Sequence, residues 1–375
     1  MLKQTFLAGI VLLSLASCQE NKTAEKPARK LLDPANMDTT VKPGDNFFMY
    51  ANGTWLKNNK IPDDKARWGS FDELQENNYK ALHEILEDAA KNPGDAGSKS
   101  QKVGDFYKSG MDSVAADKAG ITPLKDVLSR IDNIKDANGI LAEATMEQTE
   151  GIGQLFGFGV SPDDKNVTKE ICQFGQGGLG LPNKNYYFDK DDRTVKIRNA
   201  YQQYIPKMLM LMGEDSVKAK KDGADIYKLE VTLATASMTP VEMRDPYKLY
   251  NKYNLDAITK ETPGIDWKVL LTNLAVKGED TVIVGTPVFF KEVAKQLKST
   301  PVDVWKKYMS YHLVSSMAPF LSHDIYDTYF DFYGKTLSGL KAPRPSGVSV
   351  VRKFFGVILL AIAVKIFRAN LGFKI

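Results

Sequence analysis

Apolar residues recur along most of this sequence at the spacing of one face of an α-helix. Residues 124–131 carry apolar side chains at i, i+3, i+4 and i+7, directly after Thr122-Pro123, a pair that favours a helix start. Residues 70–73, Ser-Phe-Asp-Glu, have the pattern of a capping box. The same apolar spacing predicts four further stretches of helix, at Ser70–Ala89, Ile197–Met212, Ile226–Ala236 and Thr300–Tyr311.

Strand signals are few. The best is Thr281–Val284, bounded by Asp280 and Gly285, and a small sheet or hairpin fits near residues 155–175. Apolar residues make up 43% of the 375-residue chain, which is enough to bury a core. We therefore expect a mainly α fold with minor β structure.

The positive charge lies at one end of the chain. The formal net charge is +4, yet the last acidic residue is Asp331, and every charged residue in 332–375 is basic. The body before it is therefore net acidic. Because it shows no basic face interleaved with stacking aromatic residues, we expect no nucleic-acid partner.

The first residues have the pattern of a secretory signal. Lys3 precedes an apolar run from Phe6 to Leu15, which is too short to span a bilayer. Leu15–Cys18 resembles the bacterial lipobox, in which the cysteine is acylated after cleavage; the alternative is an ordinary signal peptide with an incidental cysteine. We expect a signal peptide at 1–17, lipidation at Cys18, a flexible tether over 18–40, and a lipid-anchored, extracytoplasmic place in the bacterial cell envelope.

Two motifs suggest chemistry but lack its context. Gly175–Gly180 fits G-x-G-x-x-G, yet the turn signal Leu181-Pro182-Asn183 follows where a nucleotide site needs a helix, so we expect a plain glycine-rich loop. His83-Glu84 begins like H-E-x-x-H, but Glu87 stands where the second histidine should be.

The remaining candidates for chemistry are isolated in the sequence. His312 and His323 are too far apart on one helix to share a metal ion. Cys172 has no second cysteine for a disulfide once Cys18 is acylated, and we expect it to be a small buried residue. The residues themselves therefore predict neither a catalytic residue nor a metal ligand.

Four stretches, in order, resemble the N-terminal region of the neprilysin and endothelin-converting-enzyme family of zinc metalloendopeptidases. They are Val41–Leu56 with its continuation to Phe71, Gly178–Tyr187, Met243–Lys252 and Phe332–Leu337. With the lipobox pattern, the chain resembles a bacterial lipoprotein member of that family. The resemblance implies that Arg67 faces the active-site cavity and binds the C-terminal carboxylate of a peptide substrate, a task that suits the guanidinium fork. The alternative for Arg67 is an ordinary surface ion pair.

The resemblance also implies zinc in the full-length family member, held by an H-E-x-x-H helix and a later glutamate. The printed sequence contains neither, so we expect no cofactor in this chain. We expect a neprilysin-like domain over 41–345, truncated before the catalytic region. Residues 346–375 match nothing in the family pattern, and we expect an aberrant tail from a shifted reading frame; a membrane-associated helix at 354–367 is the alternative.

Two functions remain open at this stage. The first is the substrate-enclosing part of a zinc metalloendopeptidase that acts on short peptides, inactive by itself. The second is a non-catalytic surface lipoprotein that binds peptides or serves as a scaffold for a partner.

Overall fold

The computed structural model describes residues 32–345, and the chain divides into two compact units between Ile61 and Pro62. The predictions of a signal peptide, of acylation at Cys18 and of an aberrant tail at 346–375 all fall outside the described residues. So does the tether up to residue 31.

The described part of the first unit is a short 3-10 turn, Pro34–Asn36, and helix α1, Phe47–Asn58. The buried Asp38 joins them, because its carboxylate accepts a hydrogen bond from Lys57 Nζ at 2.7 Å and its backbone N–H donates to the Tyr50 carbonyl. The Lys57 ammonium lowers the pKa of Asp38 to about 2. Residues 34–40 are thus folded, and the prediction of a flexible tether up to residue 40 is wrong for them.

The second unit begins with a helical hairpin, which consists of α2, Ser70–Lys91, and α3, Lys99–Met111. Helix α2 starts where the sequence predicts, but Gly69 is its N-cap and no side chain caps it, so the capping box at Ser70 is not formed. The two helices approach closely at Gly104, where a Cβ would lie 2.3 Å from the carbonyl oxygen of Ala89. Leu86 and Tyr107 form the centre of the small apolar cluster between the helices.

Most of the second unit is built from short and medium α-helices. In chain order they are α4 Ser113–Ala119, α5 Lys125–Asp132, α6 Ala137–Thr149, α7 Asn185–Phe188, α8 Asp192–Leu211, α9 Ser216–Ala236, α10 Pro246–Leu249, α11 Leu255–Glu261, α12 Trp267–Asn273, α13 Pro287–Ser299, α14 Val302–Met317 and α15 His323–Tyr329. A π-helix, Phe330–Leu337, continues α15, and 3-10 turns lie at Thr122–Leu124, Glu242–Arg244 and Ala318–Phe320. The helices predicted from apolar spacing are all present, although α9 begins at Ser216, well before the predicted start at Ile226, and α14 continues past Tyr311 to Met317.

A four-stranded sheet completes the second unit. Its strands are β1 Phe156–Asp163, β2 Asn166–Gln176, β3 Lys252–Asn254 and β4 Thr281–Val284, in the spatial order β1-β2-β4-β3. The β1–β2 hairpin is antiparallel, β2 runs parallel to β4 with Cys172 opposite Val282, and β3 is antiparallel to β4. The predicted strand at 281–284 and the hairpin near 155–175 are therefore confirmed, as is the mainly α fold with minor β structure.

One large apolar core joins the sheet to helices α5–α9 and α11–α15. Its largest fully buried side chains are aromatic, among them Trp267, Trp305, Tyr201 and Tyr308. Helices α9 and α14 cross this core, and their inward faces also carry polar groups, which form the interior part of the candidate site. Among residues 32–345, no helix combines the length and the apolar character that crossing a bilayer requires.

Candidate functional site

Arg67 lies in the loop that leads into helix α2. Its side chain is 84% exposed, and its Nε is 3.4 Å from Asp72 Oδ1. This ion pair is too long and too exposed to hold the guanidinium firmly. The two terminal nitrogens have no hydrogen-bond partner among the described residues. The guanidinium therefore retains a donor pair with the geometry that a carboxylate accepts.

The loop that carries Arg67 is held in place through the nearby Lys65. The Lys65 ammonium is buried and lies 2.7 Å from both Asp64 and Glu76, and Glu76 belongs to α2. A buried ammonium with two carboxylates is held far more firmly than an exposed pair. Lys65 thus ties the backbone next to Arg67 to helix α2.

A second polar arrangement lies inside the core, around the carboxylate of Glu230 on α9. This carboxylate is fully buried and accepts hydrogen bonds from Tyr187 Oη and Tyr201 Oη, each at 2.7 Å. His312 Nε2 on α14 lies 2.8 Å from the same carboxylate, and Tyr311 Oη donates to Tyr201 Oη at 3.1 Å. We call these five residues the Glu230 cluster.

Burial raises the pKa of Tyr187 and Tyr201 well above the ordinary value, and the Glu230 charge raises both further. Both hydroxyls therefore stay protonated and act as donors. Among residues 32–345, no Lys or Arg side chain forms an ion pair with Glu230, whose contacts there are hydrogen bonds and the His312 imidazole.

The glycine-rich loop after β2 packs against the tyrosines. A Cβ at Gly180 would collide with the Tyr201 hydroxyl, and the carbonyls of Gly178 and Gly180 accept hydrogen bonds from Tyr308 Oη and Tyr333 Oη. The loop is followed by a turn and the one-turn helix α7, so no long helix presents its N-terminus to it. Glycine is required here for close approach to the aromatic rings.

The three histidines lie in separate places, each with its own partners. His83 meets Tyr107 Oη at 2.9 Å in the hairpin, His312 belongs to the Glu230 cluster, and His323 pairs with Asp117 at 2.7 Å. Within residues 32–345, no three histidine, cysteine or acidic side chains lie close enough to hold a metal ion. The residues described here therefore do not fit a zinc ion.

Cys172 is buried in β2, where burial raises its thiol pKa to about 11. This confirms the prediction of a small buried residue, and the thiol stays protonated at neutral pH.

The sequence analysis proposed Arg67 as a site residue, and it missed the Glu230 cluster, although a signal for the cluster was present. Glu230 follows Ile226 and Leu229 at the spacing of the buried face of α9, and His312 follows Tyr308 and Tyr311 in the same way on α14. A polar residue at a core position of an amphipathic helix predicts a buried polar network.

The fold is that of a class of zinc metalloproteases. The structure matches zinc metalloprotease Zmp1 of Mycobacterium tuberculosis in complex with inhibitor at a TM-score of 0.80 and 30% identity, over 90% of this chain and 52% of that protein. PepO of Lactobacillus rhamnosis has the same fold, with a TM-score of 0.69, 15% identity and coverage of 84% of this chain and 50% of its own.

The chain belongs to Peptidase family M13, whose N-terminal pattern matches residues 43–368. It is 28% identical over 322 residues to human Endothelin-converting enzyme-like 1, which covers 81% of this chain and 41% of that protein. It is 29% identical over 315 residues to Neprilysin-3 of Drosophila melanogaster, which covers 78% of this chain and 40% of that protein.

The chain spans about half the length, or somewhat less, of the curated relatives it matches. The predicted resemblance to the neprilysin and endothelin-converting-enzyme family is confirmed. The family match also includes part of the segment 346–375, which we expected to fall outside the family pattern.

Proposed function

We propose that these residues form the N-terminal, substrate-enclosing part of a neprilysin-like zinc metalloendopeptidase that acts on short peptides, and that Arg67 binds the peptide's C-terminal carboxylate. The observation that carries the proposal is the exposed guanidinium of Arg67, whose terminal nitrogens have no hydrogen-bond partner within residues 32–345, while Lys65 holds the nearby backbone. A bidentate contact from arginine to a carboxylate is both strong and selective for geometry.

The role of Arg67 is tested by the binding of a short peptide with a free C-terminal carboxylate and of its C-terminal amide. We expect the free acid to bind at least about fivefold more tightly, and we expect Arg67→Ala to remove that preference, because a charge-assisted hydrogen bond contributes about 1.5–3 kcal/mol before solvent screening. Arg193→Ala, at another exposed arginine, is the matched control and should retain the preference. Equal affinity for acid and amide in the unchanged protein would rule out this role for Arg67.

We further propose that residues 1–375 by themselves bind no stoichiometric zinc and hydrolyse no peptide. In the family the zinc ion activates the attacking water, and the described residues offer no ligand set for it. Zinc analysis of the purified chain, combined with a quenched-peptide cleavage assay, tests this. Hydrolysis that a chelator abolishes would contradict it.

The second candidate, a peptide-binding surface protein without catalysis, is favoured by the same Arg67 fork, which needs no metal to bind a carboxylate. It requires that the purified chain be stable and bind peptides through Arg67. It also requires that no cleavage occur when zinc and the remainder of a family member are added to the chain. Recovery of cleavage in that mixture would favour the peptidase.

Anchoring at Cys18 belongs to the same proposal and rests on the Leu15–Cys18 pattern. In a bacterial host, the unchanged protein should carry acyl chains at this residue and partition with membranes. Cys18→Ser should move it to the aqueous fraction. Mass spectrometry of the N-terminal peptide shows directly whether acyl groups are present.

A further inference from the structure

A cavity of about 270 Å³ opens beside the Glu230 cluster, and the proposed function does not use it. Helix α14 contributes His312, Ser315 and Ser316 to its wall; Gly180 comes from the glycine-rich loop, and Tyr329 and Tyr333 come from α15 and the π-helix. Sites for drug-sized ligands measure roughly 300–1,000 Å³, so this cavity suits a smaller molecule.

His312 contributes an imidazole ring to the wall of the cavity. The side chain is more than nine-tenths buried, and its Nε2 faces the Glu230 carboxylate at 2.8 Å. A neutral imidazole that donates its Nε2–H to a carboxylate has its lone pair on Nδ1, where it can accept a hydrogen bond. Nδ1 has no hydrogen-bond partner among the described residues, although the ring lines the cavity.

The buried Glu230 carboxylate contacts His312, one of the residues that line this cavity. None of the residues that line it is Lys or Arg. Burial raises the pKa of Tyr333, which also lines the cavity, and the nearby Glu230 charge raises it further. An anionic ligand would be repelled here, whereas a cation with N–H donors would be attracted.

The tyrosine rings add a surface for the carbon part of such a ligand. Tyr329 and Tyr333 have ring centroids 4.8 Å apart with an interplanar angle of 33°. The faces of tyrosine rings attract ammonium groups and also pack against aliphatic or aromatic carbon.

We propose that this cavity binds a small primary amine in its ammonium form. The ammonium donates a hydrogen bond to His312 Nδ1, within the field of Glu230, and the carbon portion packs against Tyr329 and Tyr333. The amine is either a free organic amine or the amino group at the start of a peptide. The proposal goes beyond the peptidase function and does not depend on zinc or on Arg67.

The charge requirement is tested by titrating the purified chain with phenethylamine and with the neutral 2-phenylethanol, followed by ligand-observed NMR. We expect the amine to bind with a dissociation constant at least about tenfold lower than that of the alcohol. Equal binding of the two, or no binding of the amine at millimolar concentration, would overturn the proposal.

The location is tested with a variant that fills the cavity without disturbing the core. Ser316 is an exposed helical residue whose hydroxyl donates to the Leu313 carbonyl three residues earlier, so Ser316→Phe should fold and occupy the mouth. Ser109→Phe is the matched control, because Ser109 is also exposed and donates to the Phe106 carbonyl. We expect Ser316→Phe to weaken amine binding at least about tenfold and Ser109→Phe to leave it within about twofold; no effect of Ser316→Phe would overturn the location.

The two sources of the amine are separated by titration with L-phenylalaninamide and with its N-acetylated form. Binding of the free form, lost on acetylation, identifies the amino group of a peptide as a ligand. Failure of both, with phenethylamine still bound, identifies a free amine. Equal binding of the acetylated form would contradict an ammonium site.

Discussion

The helical hairpin α2–α3 and the core around α9 and α14 show how differently two regions can use the same apolar helical pattern. In the core, the apolar face of α9 is covered on all sides, and even the charged Glu230 is fully buried there. In the hairpin, only a narrow strip around Leu86 and Tyr107 is covered, while Phe71 is 83% exposed and Ile85 is 61% exposed. Apolar spacing therefore predicts a helix in both regions but does not predict how much of its face is covered.

The polar groups of the two regions differ in the same way. The pair Glu87–Lys91 in the hairpin is exposed to water, so it contributes little to stability. The hydrogen bonds of Glu230 are shielded from water, and removing one partner leaves the others unsatisfied. Polar substitutions in the core should therefore change stability far more than those in the hairpin.

The largest expected effect is that of Glu230→Ala. It leaves two tyrosine hydroxyls and the His312 imidazole without their acceptor in the core, which should lower the free energy of unfolding by about 3–5 kcal/mol. Glu84→Ala, at an exposed glutamate of the hairpin, should change it by less than about 0.5 kcal/mol. Urea unfolding followed by circular dichroism measures both, and similar values for the two variants would contradict the contrast between the regions.

A second effect concerns Glu147 on α6, which is buried and whose Oε1 has no hydrogen-bond partner. Burial, with a contribution from the neighbouring Glu143, raises the pKa of Glu147 from 4.5 to about 8. Between these values the unfolded chain releases this proton and the folded chain retains it, so stability falls as the pH rises from 4.5 through 8. Glu147→Gln should remove this loss and stabilise the protein at pH 8 by roughly 2–4 kcal/mol.

The matched variant in the hairpin is Glu87→Gln, which should act in the opposite direction. The hydrogen bond from Lys91 lowers the pKa of Glu87, so its contribution to stability is present at neutral pH and is lost in acid. The variant should be slightly less stable than the unchanged protein at pH 8. Thermal unfolding at pH 5 and pH 8 measures both variants; a pH-independent effect of Glu147→Gln would show that Glu147 does not titrate in this range.

A third effect is local to the hairpin. A methyl group at Gly104 would meet the backbone of Ala89, so Gly104→Ala should push the two helices apart and cost the hairpin about 1–3 kcal/mol. Lys102→Ala on the same helix is exposed and should have little effect. Hydrogen exchange should show faster exchange in α2 and α3 and unchanged protection in α9, whereas faster exchange in α9 would show that the two regions unfold together.

Local sequence signals predicted the secondary structure well, because helix and strand spacing depend on neighbouring residues. The strand Thr281–Val284 was located to the residue. The three-residue strand β3 was missed, since so short a segment has no periodicity to detect, and the pairing of β2 with β4 depends on residues far apart in the chain.

The candidate site was predictable only in part. Arg67 was proposed through the family resemblance alone, and its role stays a prediction. Glu230 and His312 occupy apolar positions of their helices, but which groups would meet there depends on how α9 and α14 pack. The exposure of Ile85 could not be predicted for the same reason. The apolar spacing of α2 does not specify which of its apolar side chains other elements cover.

The parallel pairing of β2 with β4 also bears on the order in which the molecule folds. The hairpins α2–α3 and β1–β2 join segments that are adjacent in the chain, so each can form as soon as its own residues are available. The sheet, in contrast, remains incomplete until Thr281–Val284 has been synthesised and reaches β2. During translation, β2 therefore has no β4 partner until most of the described chain has been made. We expect closure of the sheet to be among the last steps in the formation of the native core.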